Sequence, residues 1–256
     1  MKRLLGASYL TLVYLFLYVP VLILIVFSFN NSRYSTVWKG FSLQWYTHLF
    51  NNSLLMEAFV NSITVALISS VLSGVLGTLA AVVFYWYRFA GRKVLHTLIF
   101  CVMMSPDIVM GISLLSFFIL IGMKPGFLTL LLAHITFSFP FVVTIVFARL
   151  QGFDRSIIDA ARDLGAGELR IFTHIIFPLI LPAVMAGWLV SFTLSLDDVI
   201  VSFFVTGPNF DILPLKIYSM VRLGVKPEVN ALSTLLFAFT LVSVFCSHLL
   251  VKEKRK

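Results

Sequence analysis

Six runs of mostly apolar residues, near 8–29, 61–86, 95–121, 127–148, 179–204 and 231–251, are each long enough to cross a hydrocarbon core, which takes about 20 helical residues. Backbone amides find no water inside a bilayer, so such runs must satisfy their own hydrogen bonds as helices. That constraint predicts an all-α, polytopic membrane protein with six transmembrane helices. Composition agrees: 60% of the residues are hydrophobic and 12% are charged, about half the charged share of a soluble domain. A length of 256 residues suits one transmembrane domain over 1–256. The opening "MKRLLGASYLTLVYLFLYVPVLILIVFSF" has an apolar run too long for a signal peptide and no small-x-small cleavage site, so it reads as an uncleaved anchor.

The cations fix an orientation. Lys2, Arg3, Arg88, Arg92, Lys93, Arg149, Arg155, Arg162, Arg170, Lys252, Lys254, Arg255 and Lys256 fall on one side of the six runs. Only Arg33, Lys39, Lys124, Lys216, Arg222 and Lys226 fall on the other. Basic loops stay cytoplasmic, so both termini are expected inside, as six spans require. The net charge of +8 is therefore a topology signal. No basic patch interleaved with aromatics is present, so the expected partner is the lipid bilayer and not nucleic acid. Cys101 and Cys246 lie in separate apolar runs without ligand spacing and read as packing residues. Neither a metal nor a cofactor is expected.

Between the runs, "FSLQWYTHLF" places Trp45 and Tyr46 beside Leu49 and Phe50, a short interfacial segment. It serves either as an aromatic anchor or as a contact for a substrate or external partner. Residues 205–230 are cut by Pro208, Pro214 and Pro227, and "LKIYSMVRLG" within them has helical spacing. Ser70, Gly74, Gly77 and Ala81 form a small-residue stripe on which another helix can pack closely. No repeat links the two halves of the chain, which tells against an inverted-repeat secondary transporter.

Three charges lie inside the predicted spans, and all are acidic: Asp107, Asp197 and Asp198. An ionisable group in a membrane must be offset by a partner, and a cation that arrives and leaves is such a partner. On a continuous helix Asp197 and Asp198 point about 100° apart. Ser191, Ser195, Asp198 and Ser202 follow i, i+4, i+7 and i+11 and make one polar stripe. Asp198 is thus expected to face a substrate path lined by Ser191 and Ser195, with Asp197 at its edge or bonded to a neighbouring subunit. Asp107 stands in "SPDIVM", where Ser105, Pro106 and Asp107 also resemble a helix start. A dipole-balancing role and a substrate contact both stay open. Trp45 can add cation–π attraction at an outer mouth. His134, among Leu, Ala and Phe, reads as a hydrogen-bonded core histidine. No phosphate loop and no nucleophile–base–metal set is present, so the chain is not expected to be an enzyme.

Residues 152–178, "GFDRSIIDAARDLGAGELRIFTHIIFP", form the one long cytoplasmic segment. Asp154 can cap a helix whose apolar face is Ile157, Ile158, Ala161 and Leu164. Gly165 suits a left-handed stop, and Leu169, Phe172, Ile175 and Ile176 begin a second face. This elbow turns its apolar side either to a partner or to its own bundle. The run Asp159-Ala160-Ala161, then Gly165, then Ile175-Ile176-Phe177-Pro178 resembles the Glu-Ala-Ala loop of bacterial ABC importer permeases. Its spacings are kept, with Asp159 in place of Glu and Phe177 in place of Leu.

"VMMSPDIVMGISLL", "LSLDDVIVSFFVTGP" and "ILPLKIYSMVRLGVKPEVNAL" extend the likeness to C-type permease subunits of spermidine/putrescine importers. The resemblance implies a type I importer permease fold in the bacterial inner membrane. It implies as partners a second homologous permease, a dimer of a cytoplasmic ATP-binding subunit, and an external polyamine-binding protein. It further implies that Asp159, Ala160, Ala161 and Gly165 couple to the ATPase; Glu168, at the start of the second elbow helix, reads as a dipole-compensating acid, with coupling its weaker alternative. A proton-coupled secondary transporter of organic cations is the rival, as are an importer permease for another small substrate and an assembly protein with structural acids.

Overall fold

The computed structural model describes residues 2–32, 37–152, 156–222, 227–238 and 241. It is helical throughout, apart from an antiparallel bridge between Asn30 and Phe41. In chain order the helices are α1 (Lys2–Ser28), α2 (Gln44–Asn51), α3 (Ser53–Trp86), α4 (Arg92–Met103), α5 (Asp107–Leu120), α6 (Phe127–Gln151), α7 (Ser156–Asp163) and α8 (Glu168–Ile171). A π-helical turn (Phe172–Ile176) leads into α9 (Phe177–Asp197), followed by α10 (Ile200–Val205) and α11 (Leu213–Arg222).

By length and apolarity Ser8–Ser28, Ser53–Trp86, Phe127–Gln151 and Glu168–Asp197 can cross a membrane, and α4 with α5 makes a fifth span if the pair counts as one. Two expected spans are not straight. The run 95–121 is a pair bent by 113°, and the run 179–204 is interrupted between Asp197 and Ile200. Of the run 231–251, residues 231–238 and 241 are helical. The rest lies outside the described residues, as do Asp154, Arg155, Cys246 and the basic tail.

The chain divides into two compact units, Met1–Glu57 with Lys216–Lys256, and Ala58–Leu215. In the first, the end of α1 is tied to α2 through Asn30. Its side-chain amide donates to the Val37 carbonyl at 2.7 Å and its Oδ1 accepts from the Lys39 amide at 2.9 Å. Ser28 and Tyr46 share a hydroxyl hydrogen bond of 2.7 Å.

In the second unit α3, α6 and α9 converge on small residues. A Cβ at Gly77 would lie 2.7 Å from Val142 Cβ, and one at Gly187 would lie 3.2 Å from Val142 Cγ1. Val142 is thus wedged between two glycines, the close packing through which helices associate where lipid is as apolar as side chains. Ser70, Gly74, Gly77 and Ala81 are all buried, as their stripe predicts.

The elbow after α6 belongs to the same unit. The Gly165 amide donates to the Arg162 carbonyl at 2.8 Å and the Ala166 amide to that of Ala161 at 3.0 Å, with Gly165 at φ +81°. This is the two-bond stop that a glycine at C′ permits. The elbow's apolar side is shared between two directions. Ile158 and Ala161 join a core cluster with Val146, Leu150, Ile171 and Ile176, whereas Ile157, Leu164 and Leu169 are exposed.

Candidate functional site

Two helix breaks meet in the second unit. After α4 the chain turns at Met104 to Pro106, and Pro106 adopts φ −61°, ψ 135°. Pro106 has no N–H to continue α4 and disfavours helical backbone at Ser105 before it. No side chain caps α5, so Ser105 does not take the capping role its sequence position predicts. Asp107 opens the first turn of α5 and is exposed.

The second break contains neither proline nor glycine. Asp198 takes φ −66°, ψ 122°, and its carboxylate turns onto the chain ahead of it. Oδ1 accepts the Val201 amide at 3.2 Å, and Oδ2 accepts both the Ser202 amide at 2.8 Å and the Ser202 hydroxyl at 2.7 Å. An acid that satisfies the free amides of a first turn starts a helix, and here it stops one as well.

The arms beyond the breaks are held together. A Cβ at Gly111 on α5 would lie 2.6 Å from Phe204 Cδ2 and 3.3 Å from Val201 Cα on α10. This close approach brings the breaks to one cavity of about 400 Å³, whose lining includes Ser105, Asp107, Asp197, Asp198, Phe137 and Phe141. No Lys or Arg lines it. The three acids that sequence singled out, 90 residues apart, therefore share one space.

Their surroundings differ from the expected ones. Asp198 has most of its acceptor capacity committed to Val201 and Ser202, and its side chain is 10% exposed. Asp197 is exposed, and no other described residue donates a hydrogen bond to its carboxylate or to that of Asp107. The open acids are Asp197 and Asp107, not Asp198. The helical stripe predicted the reverse: Ser195, Asp198 and Ser202 do keep to one side, but that side gathers on His134 of α6.

Ser191 and Ser195 do not line the cavity and lie in the seam between α6 and α9. Ser195 bonds to His134 Nδ1 at 2.6 Å and accepts the Ser69 hydroxyl at 3.2 Å. The pairs His134–Ser195 and Val142–Gly187 define an antiparallel register, which puts Ser138 and Ser191 at one level between them. Both are fully buried, and neither hydroxyl has a hydrogen-bond partner among the described residues.

Sequence reasoning treated His134 as a core residue and missed its reach. Its Nε2 lies 2.9 Å from Ser202 Oγ and 3.6 Å from Asp198 Oδ2, so one ring joins both sides of the second break. The spacing of seven between Ser195 and Ser202 was the available signal.

Trp45 is also placed differently. Its indole is 8% exposed and donates from Nε1 to the Asn30 carbonyl at 2.7 Å. It anchors α2 within the first unit and does not display an open aromatic face.

On the elbow, Asp159 and Ala160 are exposed while Ala161 is buried. Arg162 clasps Glu168 through Nε at 3.0 Å and Nη2 at 2.8 Å, and lies 3.8 Å from Asp159. This clasp across Gly165 joins two residues that sequence read as independent. Of the three small residues, only Ala160 and Gly165 remain turned away from the core.

Comparison with known proteins agrees with this architecture. Residues 73–252 match the model of the family described as binding-protein-dependent transport system inner membrane component. The spermidine/putrescine transport system permease protein PotC of Escherichia coli (strain K12) is 53% identical over 254 residues, covering 99% of this chain and 96% of that one. The putrescine transport system permease protein PotI of the same strain is 40% identical, covering 96% and 91%.

Among solved structures, a bacterial ABC transporter involved in the import of the acidic polysaccharide alginate superposes with a TM-score of 0.74 at 16% identity, over 98% of this chain and 95% of that one. That likeness concerns the fold alone, since the cargo there is an acid and this cavity is lined by acids. By sequence match and by fold, the chain belongs to the family of binding-protein-dependent transport system inner membrane components, the permease subunits of ABC importers.

Proposed function

We propose that this chain is the membrane-spanning permease subunit of an ATP-driven polyamine importer, with spermidine and putrescine as its substrate class. The observation that carries the reading is the cavity where Asp107, Asp197 and Asp198 converge and no cation intrudes. A flexible polyammonium matches two open carboxylates at separate helix breaks. Weak contacts at several points let it enter and also leave. The identity to the two polyamine permeases supports the same substrate.

In this reading 1–256 is one permease domain with six spans and both termini cytoplasmic. It pairs with a second homologous permease, receives polyamine from an external binding protein, and is driven by a dimer of a cytoplasmic ATP-binding subunit. The elbow 152–178 couples through Asp159, Ala160 and Gly165 on its outer side. Glu168 and Ala161 keep its shape, through Arg162 and through the core. Closing of the ATPase subunits would push the elbow, and the continuous helix from Glu168 to Asp197 would carry that push to the acids. Asp107 and Asp197 contact the cation. Asp198, Ser195 and Ser191 shape the site from behind, and Trp45 fixes the segment after α1.

The test is uptake of labelled spermidine by the reconstituted complex, with ATP hydrolysis followed in parallel. ATP-dependent accumulation that unlabelled putrescine competes away supports the reading. Uptake driven by a proton gradient without the ATPase would replace it with the secondary-transporter alternative.

A further inference from the structure

A serine hydroxyl has one hydrogen to give, and this rule sets the direction of every bond around His134. Ser202 gives its hydrogen to Asp198 Oδ2 at 2.7 Å. Its oxygen can therefore only accept from the ring at 2.9 Å, so Nε2 carries a hydrogen. In the neutral ring Nδ1 is then an acceptor and takes the Ser195 hydrogen at 2.6 Å. Ser195 can in turn accept from Ser69 at 3.2 Å, whose one hydrogen also has the Ala66 carbonyl within reach at 3.3 Å. From Ser195 the chain of bonds runs one way, from α9 through α6 to the carboxylate that begins α10. His134 is fully buried, and it is the link between the helix before the break and the turn after it.

We infer that His134 is a positioning residue for the cation path: its Nε2–H holds the Ser202 hydroxyl on Asp198, and so keeps the α9–α10 break in the form that presents Asp197 to the cavity. The inference rests on the proposed polyamine path. His134 itself does not line the cavity and acts on it only through Ser202 and Asp198. A residue of this kind acts on apparent substrate affinity, because it sets where the acids stand and takes no part in ATP hydrolysis.

The two amide side chains separate the two ends of the ring. Asn places its amide near the Nδ1 position, so it can keep the bond to Ser195 and loses the donor to Ser202. Gln reaches the Nε2 position and keeps that donor. The experiment measures the KM and maximal rate of labelled spermidine uptake by the reconstituted complex, normalised to assembled complex. It uses the unmodified protein, His134→Gln, His134→Asn, Ser202→Ala, and His134→Asn combined with Ser202→Ala.

The expected result is a KM within about threefold of the unmodified protein for Gln, and a rise of about tenfold for Asn. Basal ATP hydrolysis should be unchanged. Ser202→Ala should raise KM as Asn does, and the double variant should add nothing further, since both cut one chain. Equal KM values for Gln and Asn would overturn the inference, as would a double variant whose losses add. If His134→Asn does not assemble, Ser202→Ala decides alone: a raised KM supports the inference and an unchanged KM overturns it. An unmodified complex that binds its ATPase yet takes up no polyamine would instead remove the proposed function.

Discussion

The two helix breaks reach nearly the same backbone by different chemistry. Pro106 stands at φ −61°, ψ 135° and Asp198 at φ −66°, ψ 122°. At the first the interruption is covalent, because proline has no N–H to continue α4 and disfavours helical backbone at the residue before it. No side chain is needed, and Asp107 is left open. At the second the shape is held by hydrogen bonds that link a carboxylate acceptor, a serine and a histidine. An acid used as scaffold has little acceptor capacity left for cargo, and under the proposed function that task falls to the adjacent Asp197.

The comparison can be broken most strongly at the open acids. Asp107→Asn together with Asp197→Asn should lower spermidine uptake per assembled complex by about a hundredfold, about tenfold from each if the sites act independently. Complex yield should stay unchanged. Equal loss from Asp198→Asn alone would erase the distinction between open and committed carboxylates.

At the second break, Asp198→Ala should destabilise the complex by about 2 kcal/mol, the upper range for a lost cap, seen as a lower Tm. Asp198→Asn, still an acceptor, should cost less than half of that. At the brace between the arms, Gly111→Ala forces a methyl against Phe204 and should cost about 1 kcal/mol or somewhat more, with a modest loss of uptake. Ser105→Ala tests the first break and should change Tm by no more than about 0.5 kcal/mol would, because its hydroxyl caps nothing there.

Four of the expected spans, and a fifth as the bent pair of α4 and α5, were legible in the sequence because hydrophobic length is a local property. So were the small-residue stripe, the glycine stop at Gly165 and the short helix after residue 212. The break at Pro106 was legible too, since a proline announces itself. The break at Asp198 was not: "LSLDDVIVSFF" has no breaker, and its interruption depends on His134, which lies 64 residues earlier. That the three acids stand out was legible, because charge inside an apolar run is conspicuous, and they line one cavity. Their different surroundings were hidden, because the sequence does not show that the Ser195–Asp198–Ser202 side meets His134. The Arg162–Glu168 clasp was missed for a similar reason, as its partners meet across a turn and not along one helical face.

The π-helical turn at Phe172–Ile176 has a consequence for insertions and deletions. Such a turn takes up one residue more than an α-helical turn over a similar rotation, so it holds one residue of slack. Deleting a single residue there can restore ordinary winding while leaving the angular phase of both ends unchanged. The elbow would keep its outer side, and Ser191 and Ser195 would keep theirs. The same deletion near Gly187 would rotate everything beyond it by about 100° and turn the seam's serines out of register. The rod between elbow and acids is therefore keyed along most of its length and forgiving at one place, next to where it would be pushed.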